Sequence, residues 1–175
     1  MRTFTKKQVK GWLNVISKDV TRPALCGVKL SDKKAWLTDG YIAVSYDLSD
    51  GWTKELENRF ITRETLTEWC KTHTAKVELS VEELGKLAEP KESYKNYADR
   101  YPDLKQIFDK EDTVIVREKA NLQCRLDPQL VINAISVLDS PIVWEAPRGE
   151  FNPVRIISKN FDGFNDVALI MPLTK

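Results

Sequence analysis

The sequence predicts an α+β protein, with helices packed on one face of antiparallel strands. Two patterns carry that expectation. Apolar residues recur at helical spacing in three segments, and around those segments short stretches alternate apolar and polar residues between turn dipeptides. The order strand, helix, antiparallel strands shows at the beginning of the chain and again at its end, with a less complete copy between. The repeat is one of structure, not of residues.

The first helix begins near Thr5 and sets Val9, Trp12, Leu13 and Ile16 on one face, with Lys6, Lys7, Lys10, Asn14 and Lys18 opposite. Val28 and Leu30 then alternate with polar neighbours, and Ser31-Asp32-Lys33 reads as a turn. Ala35-Trp36-Leu37 follows, and Asp39-Gly40 is a strong turn signal before the alternating Ile42, Val44 and Tyr46. Thr62 is the expected N-cap of a second helix, with Leu66, Trp69 and Cys70 inward. Val77, Leu79 and Val81 alternate as a strand. Residues 86–113 are charge-dense, hold Pro90 and Pro102, and predict a connector with a short helix and a domain boundary near 108–113. Val114–Val116 and Leu122–Leu126 make a strand pair. Asp127 caps a third helix with Pro128 at its first position; Leu130, Val131, Ala134, Ile135 and Leu138 face inward, and Gln129, Asn133 and Ser136 outward. Three strands close the chain, at Ile142–Trp144, Val154–Ile157 and Val167–Met171, with a turn at Phe161-Asp162-Gly163.

The 175 residues suit one large domain, or one domain with part of another. Lys and Arg number 27 against 26 Asp and Glu, so any basic surface has to be local. No apolar run approaches the roughly 20 residues of a membrane span, and Met1 to Lys7 lacks the apolar core of a secretion signal. Cys26, Cys70 and Cys124 are odd in number and far apart, which predicts free thiols in a reducing cytoplasm. The patterns that carry catalysis are missing. The one histidine, His73, reads as a helix-end residue without a partner for Ser-His or Cys-His chemistry, and no C-x-x-C pair or glycine-rich phosphate loop is present. Asp39 reads as a turn residue. A non-enzymatic protein with no metal and no cofactor is the expectation.

Three features point to binding. Lys6, Lys7, Lys10 and Lys18 form either a phosphate-contacting face or a solvated one. Tyr94, Tyr97 and Tyr101 interleave with Lys91, Lys95 and Arg100; they either stack bases or pin the connector by their rings with hydroxyls in water. The apolar run Asn165 to Leu173 stops at Pro172 close to the chain end, where residues are usually polar, so it is either tucked into a sheet or part of a surface cleft.

Five segments in order resemble the bacterial sliding clamp, the β subunit of DNA polymerase III. Arg22-Pro23-Ala24-Leu25 with Gly27-Val28-Lys29-Leu30 is similar to the family's R-P-x-L-x-G-V-x-L. Thr38-Asp39-Gly40-Tyr41-Ile42-Ala43 resembles T-D-G-H-R-L-A, and Phe60-Ile61-Thr62-Arg63 resembles I-P-R-K ahead of a helix. Tyr101-Pro102-Asp103-Leu104 is similar to F-P-D-Y. Pro153-Val154-Arg155-Ile156 running to Leu169-Ile170-Met171-Pro172-Leu173 is similar to the family's P-V-x-I and V-M-P-M-R-L ending.

The resemblance implies a DNA-clamp fold of about one and a half clamp domains. Residues 1–108 correspond to the family's middle domain and 109–175 to the C-terminal half of its last. It implies helices that line a channel around duplex DNA without reading sequence, with Lys6, Lys7, Lys10 and Lys18 toward phosphates. It also implies an apolar cleft for short segments of a polymerase or other partner, carried over to Tyr41, Ile42, Pro153, Val154, Met171, Pro172 and Leu173. Tyr41 stands where the family has histidine, and Thr174 replaces its last basic residue. Closed symmetry would make a ring from a tetramer or a hexamer. A monomeric peptide-binding module that competes with a host clamp without encircling DNA is the alternative.

Overall fold

The computed structural model describes residues 2–89, 100–109, 126–138, 142–145, 153–159 and 165–172. The strands expected over 114–125, the turn at 161–163, and Tyr94, Tyr97, Cys124 and Leu173 lie outside the described residues.

Helix α1 (Lys6–Val15) follows directly from strand β1 (Thr3–Thr5), and a reciprocal cap fixes where it starts. The Gln8 amide N–H donates to the Thr5 hydroxyl while the Thr5 amide donates to Gln8 Oε1 at 2.7 Å, so two donors of the open helix end are satisfied. Val9, Trp12 and Val15 are buried from this helix. The Trp12 ring meets Phe4 at 4.9 Å and Tyr46 at 5.3 Å between centroids, an aromatic knot that joins β1, α1 and the sheet.

Seven antiparallel strands form the main sheet. They are β2 (Gly27–Ser31), β3 (Lys34–Thr38), β4 (Ile42–Asp47), β5 (Arg59–Thr62), β7 (Ile142–Glu145), β8 (Val154–Lys159) and β9 (Asn165–Ile170), in spatial order β5-β2-β3-β4-β9-β8-β7. The turn at Asp32 and Lys33 is a two-residue hairpin loop with φ of 54° and 58°, the left-handed geometry that matches strand twist. β4 pairs with β9 from Ile42↔Ile170 to Ser45↔Val167, so one sheet runs from the first part of the chain to the last. A separate two-stranded pair joins β1 to β6 (Glu78–Ser80).

Both faces of the sheet are covered. Val28, Leu30, Leu37, Val44, Ile156, Ala168 and Ile170 pack under the helices. Trp36, Ala43, Phe60, Ile157, Val167 and Leu169 turn to the other face, where Tyr101, Leu104 and Phe108 of the connector lie on them. Leu104 and Phe108 belong to a short helix, α4 (Leu104–Asp109). Two-sided cover is why β4 is buried through five of its six residues.

On the helix face α1 touches both α2 (Arg63–Thr72) and α5 (Pro128–Val137). Gly11 lets α5 approach: a Cβ there would lie 2.6 Å from Val137 Cγ1. Arg63 closes the end of α1 by donating to the carbonyls of Leu13 at 2.7 Å and Ile16 at 3.1 Å. Tyr46 donates its hydroxyl to the Val137 carbonyl at 2.7 Å. Arg2 and Asp166 form a buried ion pair, and Arg2 also donates to the Asp47 carbonyl at 2.6 Å. No helix among the described residues is long and apolar enough to cross a membrane.

The structure departs from the sequence reading at four places. Val81 opens a helix, α3 (Val81–Leu87), instead of ending a strand, because Ser80 and Glu83 form a second reciprocal cap. Ile135 does not face inward; it is 39% exposed, because α5 buries Ala134 and Val137 toward α1 and the sheet and no described element covers its far flank. The Tyr101 hydroxyl does not reach water but donates to the Trp36 carbonyl at 2.8 Å, and burial pushes its pKa far above the ordinary phenol value. β1 and β5 are strands that the sequence reading leaves unassigned.

Candidate functional site

The turn between β3 and β4 builds one wall of an accessible junction. Asp39 Oδ1 accepts the amides of Tyr41 at 2.8 Å and Ile42 at 2.9 Å, and Gly40 takes φ 101°, a conformation that a side chain would strain. This holds Tyr41 out from the sheet, 63% exposed. The Met171 amide donates to the Tyr41 carbonyl at 3.0 Å, one step beyond the last β4–β9 pair, and Met171 is 42% exposed. Ile42, Ile170 and Val154 stand in register across β4, β9 and β8, and all three are buried. Tyr41 and Met171 are therefore exposed neighbours across the strand ends, next in the chain to the buried Ile42 and Ile170, with Val154 buried in the same row and Pro153 and Pro172 half-buried.

A residue pair that was not assigned to the site lies beside it. Gly40 has no side chain, and a Cβ built there would sit 3.5 Å and 3.8 Å from the two Arg22 Nη atoms and 3.9 Å from Leu25 Cδ1. Arg22 precedes the short turn Pro23–Leu25 and is exposed, while Leu25 is buried. The Arg22-Pro23-Ala24-Leu25 run is visible in the sequence, but only the folded turn brings it to Gly40.

The lysines divide. Lys7 and Lys10 are exposed on α1. Lys6 is half-buried and donates Nζ to the His73 carbonyl, at the C-terminal end of α2. Lys18 is exposed beyond the helix end. Beneath α1 and α2, burial pushes the Cys70 thiol up in pKa while Lys6 and Lys10 pull it down. The neighbouring helices do not extend the basic face. α2 shows Glu64, Glu68 and Lys71 to solvent, the last two 3.8 Å apart, and α5 shows Ile132 at 59% exposure beside Ile135. His73 is the helix-end residue expected, its ring stacked on Trp69 at 4.8 Å.

Helices in a row on one face of a continuous antiparallel sheet, with a connector on the other face, make this a clamp-fold chain. Solved beta-clamp structures share the fold. The beta clamp of Helicobacter pylori in complex with diflunisal superposes with a TM-score of 0.64 at 13% identity, over 98% of this chain and 64% of that one. The same organism's beta clamp in complex with 3,4-difluorobenzamide gives 0.60 at 11% identity, over 100% and 66%. A chain described as a DNA polymerase III beta subunit of Eubacterium rectale gives 0.60 at 11%, over 99% and 65%. The chain thus spans just under two thirds of the length of these neighbours. No protein-family model matches the sequence, and no curated protein does.

Proposed function

We propose that this chain is a clamp-like tethering protein, non-enzymatic and cytoplasmic. It takes a short apolar segment of a polymerase or other partner at the Tyr41–Met171 junction and meets duplex DNA phosphates through Lys7, Lys10, Lys18 and, in part, Lys6. One observation carries the reading: the Met171 amide donates to the Tyr41 carbonyl, so the backbone sets an exposed aromatic residue and an exposed methionine side by side at the strand ends. A flexible thioether beside a ring is suited to varied aliphatic and aromatic side chains. A chain of this length would encircle DNA only as several copies.

A second reading has its own support. Ile132 and Ile135 on α5, with Glu64 and Glu68 on α2, face the side on which DNA would lie, and neither pair attracts phosphate. They favour a module that binds peptide without encircling DNA. Light scattering separates the two: a concentration-dependent oligomer supports the ring, and a monomer across the range supports the module. The cleft, common to both, is tested by fluorescence polarisation with capped peptides holding a Leu-Phe pair. Met171→Ala is expected to weaken binding by about tenfold, through lost apolar contact. Unchanged affinity in the folded variant would remove the cleft assignment.

A further inference from the structure

A cavity of about 340 Å³ lies between the connector and the outer face of the sheet. We infer that it binds a small zwitterion, a molecule of amino-acid size with one carboxylate and one ammonium group. Neither Tyr41, Met171 nor any lysine of α1 lines it, so the inference does not rest on the function proposed above.

Hydrogen bonds and packing hold the walls in place. The Tyr101 hydroxyl donates to the Trp36 carbonyl, and Trp36 Nε1 donates to the Ser31 carbonyl at 3.1 Å. Leu104 and Phe108 hold α4 on the sheet. Lys29 stands opposite Trp36 across β2 and β3, and Ser31 follows two residues on, so both side chains leave β2 on the cavity side.

The inner groups are donors. Among the described residues Lys29 Nζ makes no hydrogen bond and no ion pair; it lies 5.5 Å from the centre of the Tyr101 ring. The Ser31 hydroxyl has no hydrogen-bond partner among them either, although Ser31 is only 7% exposed. A hydroxyl so placed favours a ligand that completes its hydrogen bond. Half-buried Asn58 adds a side-chain amide to the same wall. Ammonium, hydroxyl and amide are together the donor set that a carboxylate accepts.

The rim has the opposite sign. Glu57 and Asp103 are exposed, and among the described residues they accept backbone amides without pairing to a cation: Glu57 from Asp32 at 3.3 Å, Asp103 from Gln106 at 3.2 Å. Lys105 is already paired with Asp32 at 3.1 Å. Charge that is positive within and negative at the rim selects the ligand. A plain anion meets the rim carboxylates, and a plain amine meets Lys29. These carboxylates are not gathered for a metal ion, since no such group of three ligating side chains occurs among the described residues. The volume is at the small end of the roughly 300–1,000 Å³ of ligand pockets, which suits a small molecule.

The test titrates isotope-labelled protein with glycine, γ-aminobutyrate and ε-aminohexanoate, which step the distance between the two charges. Hexanoate and hexylamine carry one charge each. The Trp36 indole N–H, in the cavity wall, is the NMR reporter. At least one zwitterion is expected to shift it saturably in the millimolar range, about tenfold more tightly than either single-charge probe. Lys29→Met is expected to weaken that zwitterion about tenfold, the size of a lost charge-assisted hydrogen bond, and Glu57→Gln about threefold, the size of an exposed ion pair. A single-charge probe that binds as tightly as the best zwitterion would overturn the ligand class. No saturable shift with any probe, or unchanged affinity in either folded variant, would overturn the site.

Discussion

Breaking the Arg2–Asp166 pair is expected to unfold the chain more readily than any surface change, and the structure sets the size. Asp166 is fully buried and the Arg2 side chain is 5% exposed, so removing one partner leaves the other charge away from water. The general cost of that is about 3–5 kcal/mol. Arg2 keeps other partners: the Asp47 carbonyl, the Phe4 ring at 4.9 Å and the Tyr46 ring at 5.6 Å. Asp166→Val is therefore placed at the low end, about 3 kcal/mol. Arg2→Met takes the arginine from the fully buried carboxylate and is expected to cost about as much. The double variant removes both charges and both desolvation penalties, so its loss is expected to be about 1 kcal/mol, far below the sum of the singles. Urea unfolding followed by tryptophan fluorescence measures all three, with Trp12 reporting from the same cluster. Singles that simply add in the double variant would refute the claim that the two residues act as a unit tying Arg2 to β9.

Reversing Lys7 and Lys10 to Glu is expected to weaken association with a labelled duplex and to lower its log-log salt slope by about two, one for each lost phosphate contact; no change in a folded variant would leave these lysines as a solvated face. Gly27→Ala would place a Cβ 2.3 Å from the Ile61 carbonyl and 2.5 Å from the Phe60 ring, where backbone cannot give, and a loss of about 3 kcal/mol by urea unfolding is expected. Tyr101→Phe removes the donor to the Trp36 carbonyl and is expected to cost about 1–2 kcal/mol by the same measurement, without altering peptide affinity.

Local rules made much of the frame readable. Thr5, Thr62 and Asp127 each cap the helix assigned to them, because a short side-chain oxygen before an apolar-periodic run meets an open amide whatever the surroundings. Asp32-Lys33 and Asp39-Gly40 turn as their residue types predict. Other features needed tertiary information. β1 and β5 hold three and four residues, too few to show alternation. Val81 continued the alternation of Val77 and Leu79, yet Ser80 and Glu83 at capping spacing were the competing signal, and they prevailed. Ile135 looks like a core residue on any helical wheel; its exposure follows from the position of α5 at the end of the row.

The site was partly readable for the same reasons. The Thr38-Asp39-Gly40-Tyr41 turn and the Met171-Pro172 segment are local patterns, and pairing of β4 with β9 brings them together. That Ile42 and Val154 are buried while Tyr41 and Met171 are exposed depends on which face of the sheet the helices cover. Arg22 was visible only as part of a motif, since its approach to Gly40 comes from the fold of the Pro23–Leu25 turn.

The chain has two methionines, Met1 and Met171, which makes the cleft directly observable. With methyl-labelled methionine, a two-signal NMR spectrum is titrated with the capped Leu-Phe peptide used for polarisation. The account predicts a saturable shift of the Met171 methyl with the affinity found by polarisation, while the Met1 methyl stays in place. Peptide that binds by polarisation while the Met171 methyl does not move would contradict it.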